Sequence, residues 1–255
     1  MWQAPNDPQI YGALDIDATN AQRFIAAAQA HGQRITPTHL VGRAVSRALL
    51  EVPDLNVRIV GMRAIPRPSI DIFFITAVDA GNDLSGIKVQ EVDRRTAIDV
   101  ARELASRARA LRAGGDAEFT RSKRLMDRLP RGALRGALKA SALLTERFQV
   151  ELPALALHRS PFGSAMITSV GMFGLPQGFA PLAWMYDVPL LVLVSEIVER
   201  PVVVAHQVVA RPVIPLTATL DHRYVDGFHI SRAMTAMRTY LEDPSAYEPP
   251  FAAAE

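Results

Sequence analysis

The 255-residue chain contains no cysteine, which excludes disulfide scaffolds, thiolate metal sites and cysteine nucleophiles. Long apolar runs are missing too. The longest, residues 188–198, is interrupted by Ser195 and Glu196 and reads as a buried strand; a membrane span needs roughly 18 apolar residues. Residues 1–8 have neither a basic nor an apolar stretch, so no signal peptide is expected and a soluble, cytoplasmic protein is the default. An excess of one charge is also absent. The 28 Lys and Arg against 26 Asp and Glu leave a net charge of +2, a weak footprint for a nucleic-acid binder.

The chain does have a globular balance, 49% hydrophobic and 21% charged, enough for one large core or two modest ones. Residues 10–16 read as extended, and Asp17 or Thr19 is placed to cap a helix running to about His31. Thr36-Pro37-Thr38 opens a second helix. Its apolar positions Leu40, Val41, Ala44, Val45, Ala48 and Leu49 keep helical spacing until Pro53. Residues 69–78 predict a strand buried on both faces, 87–92 a second strand, and 96–111 an amphipathic helix ended by Gly114-Gly115. From 119 to 148 the pattern stays helical, broken at Pro130. Strands follow at 164–170, at 189–198 and 202–209 as a hairpin, and at 213–220, before a helix carrying Ile230, Met234, Met237 and Leu241. This mixture predicts one α+β (mixed α/β) domain over 1–255, a large, mostly antiparallel or mixed sheet with helices packed on it.

One segment carries candidate chemistry. Asp221-His222-Arg223-Tyr224-Val225-Asp226-Gly227 is read as a strand running through a tight turn into a helix. A histidine there has the side-chain pKa closest to neutrality and suits a general base. Asp226 is near enough to brace the loop or pair with an arginine, and Gly227 is expected to permit a backbone conformation that a Cβ would resist. His229 is a solvated or minor pocket residue on this reading. The string is short, and surface turns contain many like it, so base and turn both remain open on the residues alone.

The surroundings of the string are more specific. His222 to Gly227, between a β-rich stretch and a helix ending Tyr240-Leu241-Glu242-Asp243-Pro244, resembles the acyltransferase subunits of 2-oxoacid dehydrogenase complexes. Their relative chloramphenicol acetyltransferase shares the His-x-x-x-Asp-Gly pattern. Gly163-Ser164-Ala165-Met166-Ile167-Thr168-Ser169-Val170-Gly171 is similar to the family stretch that reads roughly Gly-Gly-Thr-Phe-Thr-Ile-Ser-Asn-Leu-Gly. Ile35 through Pro53-Asp54-Leu55-Asn56 matches an early helix ending Pro-x-Leu-Asn, and Ile70-Asp71-Ile72 and Ala101-Arg102-Glu103-Leu104 follow in order. The similarity covers about residues 10–118 and 160–244.

The resemblance implies a chloramphenicol acetyltransferase-like fold and acyl transfer between coenzyme A and a thiol, amine or hydroxyl acceptor. His222 Nε2 would be the base. Thr168 would supply the oxyanion hydroxyl where the family has serine, with Ser169 as the fallback donor. Asp226 would hold the histidine loop through an arginine, and Ser169, Arg223 and Gly227 would contact coenzyme A. It also implies a homotrimer, or a cage of trimers, with active sites between subunits.

This sequence is read as departing from the family in three ways, one being that the segment rich in Met, Arg and Lys that normally opens the family's catalytic domain is not found. Lipoyl and peripheral subunit-binding domains have no counterpart here, so no lipoyl group is expected on this chain; the acceptor is left open and a separate lipoyl carrier becomes a candidate partner. Residues 119–161 form a helical insertion, in which Arg121, Lys123, Arg124, Arg128, Arg131 and Arg135 face one acid, Asp127. The stretch 121–138 is read as a lid, a contact for coenzyme A phosphates, a membrane or partner surface, or a hairpin with a solvated basic face. A catalytically silent scaffold on the same fold, or an acyl-coenzyme A sensor, are the competing functions.

Overall fold

The structure is a computed structural model and describes residues 8–60, 63–78, 83–112, 130–147, 160–182 and 187–251. In chain order these form β1 (Gln9–Asp17), α1 (Thr19–Ala30), α2 (Pro37–Glu51), β2 (Val57–Val60), β3 (Arg63–Pro66), β4 (Ile72–Val78), β5 (Asp83–Val89), α3 (Ala97–Arg112), α4 (Arg131–Ala142), β6 (Ala165–Ser169), β7 (Leu190–Val194), β8 (Val198–Val204), β9 (Gln207–Asp221) and α5 (Gly227–Glu242). The main sheet runs β1-β9-β7-β6-β4-β5, with β8 on the first half of β9. β6 is parallel to β4 and β7, and the other pairs are antiparallel. This is the mixed sheet with packed helices that the sequence predicts. β2 and β3 make a separate ribbon that the sequence reading missed.

Alternation along the strands gives the sheet two different faces. Ile72 and Phe74 of β4, Ala165 and Ile167 of β6, Leu190, Val192 and Val194 of β7, and Ile214, Leu216 and Leu220 of β9 join one core with the helices. The helical spacing read in α2 is the buried face observed: Leu40, Val41, Ala44, Val45, Ala48 and Leu49 are at most 1% exposed, each leucine contributing about 1.5–3 kcal/mol. Gly42 lets α2 approach this closely, since a Cβ there would lie 2.5 Å from the Phe74 ring. The intervening residues Met166, Leu191 and Leu193 form a second core with Leu182 and Val188, flanked by Phe73 and Ile75. Among the described residues its cover is the segment 170–182.

Helix starts follow local chemistry. The Thr36 amide donates to Nδ1 of His39, three residues into α2, at 3.0 Å, and Pro37 occupies the first turn, where no amide is needed. Thr96 and Asp99 cap α3 reciprocally, through Thr96 N to Asp99 Oδ2 at 3.1 Å and Asp99 N to Thr96 Oγ1 at 3.2 Å. After α5 the chain is pinned by buried Glu248, which accepts from Arg43 Nε at 2.9 Å, Tyr240 Oη at 2.7 Å and Ala97 N at 2.7 Å.

The expected hairpin is corrected. Residues 189–198 and 202–209 do not pair with each other; β8 pairs with β9 across Ala205-His206, both left-handed (φ 48° and 65°), while β7 lies between β9 and β6. The segments expected as separate strands at 202–209 and 213–220 meet in β9, which passes through Pro212 and Pro215. Their carbonyls accept from Ala18 N and Ser195 N, so only the missing amides are forfeited. Of the helical pattern expected over 119–148, residues 119–129 and 148 lie outside the described residues, as do Gly114-Gly115 and 149–159 of the insertion.

Candidate active site

β9 delivers the histidine loop. Its last residue, Asp221, is buried and accepts from the Arg223 amide at 2.9 Å and from Arg223 Nε at 3.0 Å to both carboxylate oxygens. This hydrogen-bonded pair raises the Arg223 pKa above its ordinary value. The guanidinium expected to contact coenzyme A is thus engaged with its neighbour, although its side chain is half exposed. His222 itself is exposed, and its amide donates to Pro8 O at 2.9 Å. Val225 is buried and fixes the middle of the loop in the core.

Asp226 ends the loop, and here the structure departs from expectation. No arginine pairs with it among the described residues. It caps α5, with Oδ1 accepting from Phe228 N at 3.0 Å, His229 N at 3.2 Å and His229 Nδ1 at 2.6 Å. The amide and imidazole of His229 hold its carboxyl below the usual range. Gly227 needs no special backbone: its φ is not positive, and an added Cβ would meet nothing within 4 Å. The reason expected for a glycine there is therefore absent within one chain.

Sequence reasoning passed over the groups beside the loop. Tyr224 is largely buried, which pushes its hydroxyl up to about 12, with Asp187 adding to the effect. Asp187 sits at a left-handed φ of 48°, and its backbone carbonyl accepts from Arg67 Nη2 at 2.8 Å. Burial raises its carboxyl pKa, against the opposing influence of Arg67 and Arg223. The Asp-His-Arg order of 221–223 was the available signal for the loop's strand-side anchor; nothing local in sequence pointed to Asp187 or Arg67.

Thr168 lies elsewhere. It is half-buried on β6, in register with Ile75 on one side and Leu193 on the other, and Leu193 pairs with Thr217. All are on the face opposite the helix-packed core. There Thr217 Oγ1 donates to Gly178 O, and Thr219 Oγ1 to Ala180 O at 2.7 Å, strapping the segment 170–182 across β9. Ser169 pairs with Val194 on the helix-covered side, so the two hydroxyls project to opposite faces and cannot replace each other.

His222 follows Thr217 by five residues along β9, and Thr168 is two strands away. At about 3.3 Å per residue and about 4.8 Å per strand, the two are on the order of 19 Å apart. One chain gathers His222, Arg223, Asp226 and Gly227 at one end of the sheet and leaves Thr168 and Ser169 at the other. Each end has an open surface: His222 is exposed, and beyond Thr168 lie Met172, Phe173 and Leu175, 65%, 51% and 47% exposed. None of the described helices is long and apolar enough to cross a membrane.

The fold is similar to those of several solved structures. A probable dihydrolipoamide acetyltransferase from Listeria monocytogenes superposes with a TM-score of 0.69 at 20% identity, covering 98% of this chain and 89% of that one. The cubic core of a pyruvate dehydrogenase multienzyme complex gives 0.70 at 21% identity, covering 94% and 84%. A chloramphenicol acetyltransferase gives 0.52 at 15%, covering 92% and 89%. In sequence, the acetyltransferase component of the acetoin cleaving system of Bacillus subtilis is 25% identical over 222 residues, 86% of this chain and 44% of that protein. A probable succinyltransferase component of the 2-oxoglutarate dehydrogenase complex of Schizosaccharomyces pombe is 35% identical over 105 residues, 41% of this chain and 23% of that protein. The chain spans less than half the length of these curated relatives. The model of the 2-oxoacid dehydrogenases acyltransferase (catalytic domain) family matches residues 1–118 and 155–247, leaving 119–154 between the matched stretches. The chain belongs to the family of 2-oxoacid dehydrogenase acyltransferase catalytic domains.

Proposed function

We propose that the chain is a coenzyme A-dependent acyltransferase whose active site forms between copies, His222 coming from one and Thr168 from the next. The observation that carries this reading is the separation of the two groups on one sheet. A base and an oxyanion donor on the order of 19 Å apart cannot serve one carbonyl. A head-to-tail contact closing into a ring, as in a trimer, would bring the histidine end of one copy to the threonine end of its neighbour.

In that site His222 takes the proton of a thiol, amine or hydroxyl as it attacks the acyl thioester. The carbon–sulfur bond breaks, and the proton is returned to the departing coenzyme A sulfur. Thr168 Oγ1 donates to the carbonyl oxygen as charge gathers there. The aspartates at the two ends of the loop, Asp221 and Asp226, keep the imidazole in place and transfer no proton. Dihydrolipoamide on a separate carrier is one acceptor that fits this chemistry. Gly227 leaves open surface beside His222 where a substrate can approach.

The test is release of free coenzyme A thiol from acetyl-coenzyme A and longer acyl thioesters, with dihydrolipoamide and small thiols, amines and alcohols as acceptors. His222→Ala is expected to lower kcat by roughly 10²–10⁴ without changing the mass of the assembly. Turnover that survives His222→Ala would contradict the assignment.

A further inference from the structure

We propose that His229 is a positioning residue for acyl transfer: by bridging Asp226 and Asp54 it registers the His222 loop against the turn that anchors the start of β6. This rests on the reading of His222 as the base. The loop hangs between two aspartates. Asp221 grips the strand side through Arg223. On the helix side, His229 Nδ1 is hydrogen-bonded to Asp226 Oδ1 at 2.6 Å, and its Nε2 lies 3.6 Å from Asp54 Oδ2, too far for a hydrogen bond but an ion pair when the ring is protonated. Asp54 belongs to the short helical turn Pro53–Asn56 that follows α2. The same turn holds two other pieces: Asn56 Oδ1 accepts from Ser164 Oγ at 2.5 Å, just before β6, and Asn56 O accepts from Arg67 N at 2.9 Å. One turn therefore sets the positions of the histidine loop and of the strand that carries Thr168.

Among the described residues a histidine three residues past a helix cap occurs twice, with opposite roles. In α2, Nδ1 of His39 accepts from the Thr36 amide, and the ring closes a purely local cap. In α5 the cap is already complete, because Asp226 accepts from the Phe228 and His229 amides. The His229 ring is not needed to start the helix and reaches instead to a residue 175 positions earlier in the chain. The side chains of Asp54, Asp226 and His229 are 63%, 60% and 32% exposed. Exposed pairs of this kind add little to global stability. What the bridge changes is which loop geometry is populated, to which a base is sensitive.

The experiment follows amide hydrogen exchange of residues 222–226 together with steady-state kinetics on acetyl-coenzyme A, using the intact chain in its native assembly. His229→Ala and the surface variant Asp54→Asn should each speed exchange in that segment several-fold. Each should lower kcat by about tenfold with KM for acetyl-coenzyme A nearly unchanged, and the double variant should be no worse than either alone. His229→Gln, which retains a donor for Asp226, should recover part of the loss. Unchanged exchange in both single variants overturns the proposal. So does a melting temperature that drops while kcat holds. His222→Ala separates the two readings: it should lose turnover with the loop still protected, whereas turnover that persists would remove the base assignment while the exchange data still decide the bridge.

Discussion

Ile167 and Thr168 are neighbours on β6 and belong to different parts of the molecule. Ile167 points under the helices, with 0% of its surface exposed, in register with Phe74 on one side and Val192 on the other. Thr168 points to the opposite face, where among the described residues a loop strap provides the cover. The first face is closed by residues distributed from β1 to α5 and carries most of the buried apolar surface. The second has a small core, two threonine hydroxyls bonded to strap carbonyls, and large apolar side chains left in the open. A sheet with one sealed face can hold the fold with that face and leave the other for substrates and a neighbouring copy.

Substitutions one residue apart should separate these roles. Thr168→Val keeps shape and removes the hydroxyl; kcat for acyl transfer is expected to fall by about 10²–10³, with the denaturant midpoint unchanged. An intermediate effect comes from the sealed side, at the start of α2. Burial lowers the pKa of His39 from 6.5 to about 4. Folding then favours the neutral ring, so this stabilisation is complete above pH 6.5 and disappears as the pH falls towards 4. Allowing for partial exposure, the difference is on the order of 2 kcal/mol. Urea unfolding at pH 7 and pH 4 should show wild type losing more stability than His39→Gln by about that amount. The smallest effect is expected from Ile167→Val, which should cost about 0.5–1.5 kcal/mol of stability and leave turnover per folded enzyme intact. Equal kinetic damage from Ile167→Val and Thr168→Val would erase the distinction between the faces.

The sealed face was the legible one. The α2 positions at helical spacing were the buried ones, and β4 was recognised from its density of Ile and Phe. Both are local periodic signals. The strand order was less readable, because β9 continues through two prolines whose carbonyls remain useful, and because β8 turns on Ala205-His206 without glycine or asparagine. In the candidate site, His222, Asp226 and Thr168 were chosen from motif resemblance, and the structure puts them on the expected kinds of element. Their partners depended on contacts distant in sequence. Asp226 meets His229 and a helix N-terminus instead of an arginine, Gly227 is free of strain, and Ser169 faces away from Thr168. A residue's own neighbours could not reveal these, since each depends on what the fold brings alongside.

On the proposed reading, a functional site needs two copies of the chain. This requirement is tested most directly by mixing two inactive variants, His222→Ala and Thr168→Val, after dissociation and reassembly, and measuring coenzyme A thiol release per mixed oligomer. In a ring of three, mixed assemblies contain interfaces where an intact His222 meets an intact Thr168, so activity should return to a substantial fraction of wild type. Mixed oligomers confirmed by mass that stay as inactive as their parents would contradict the account.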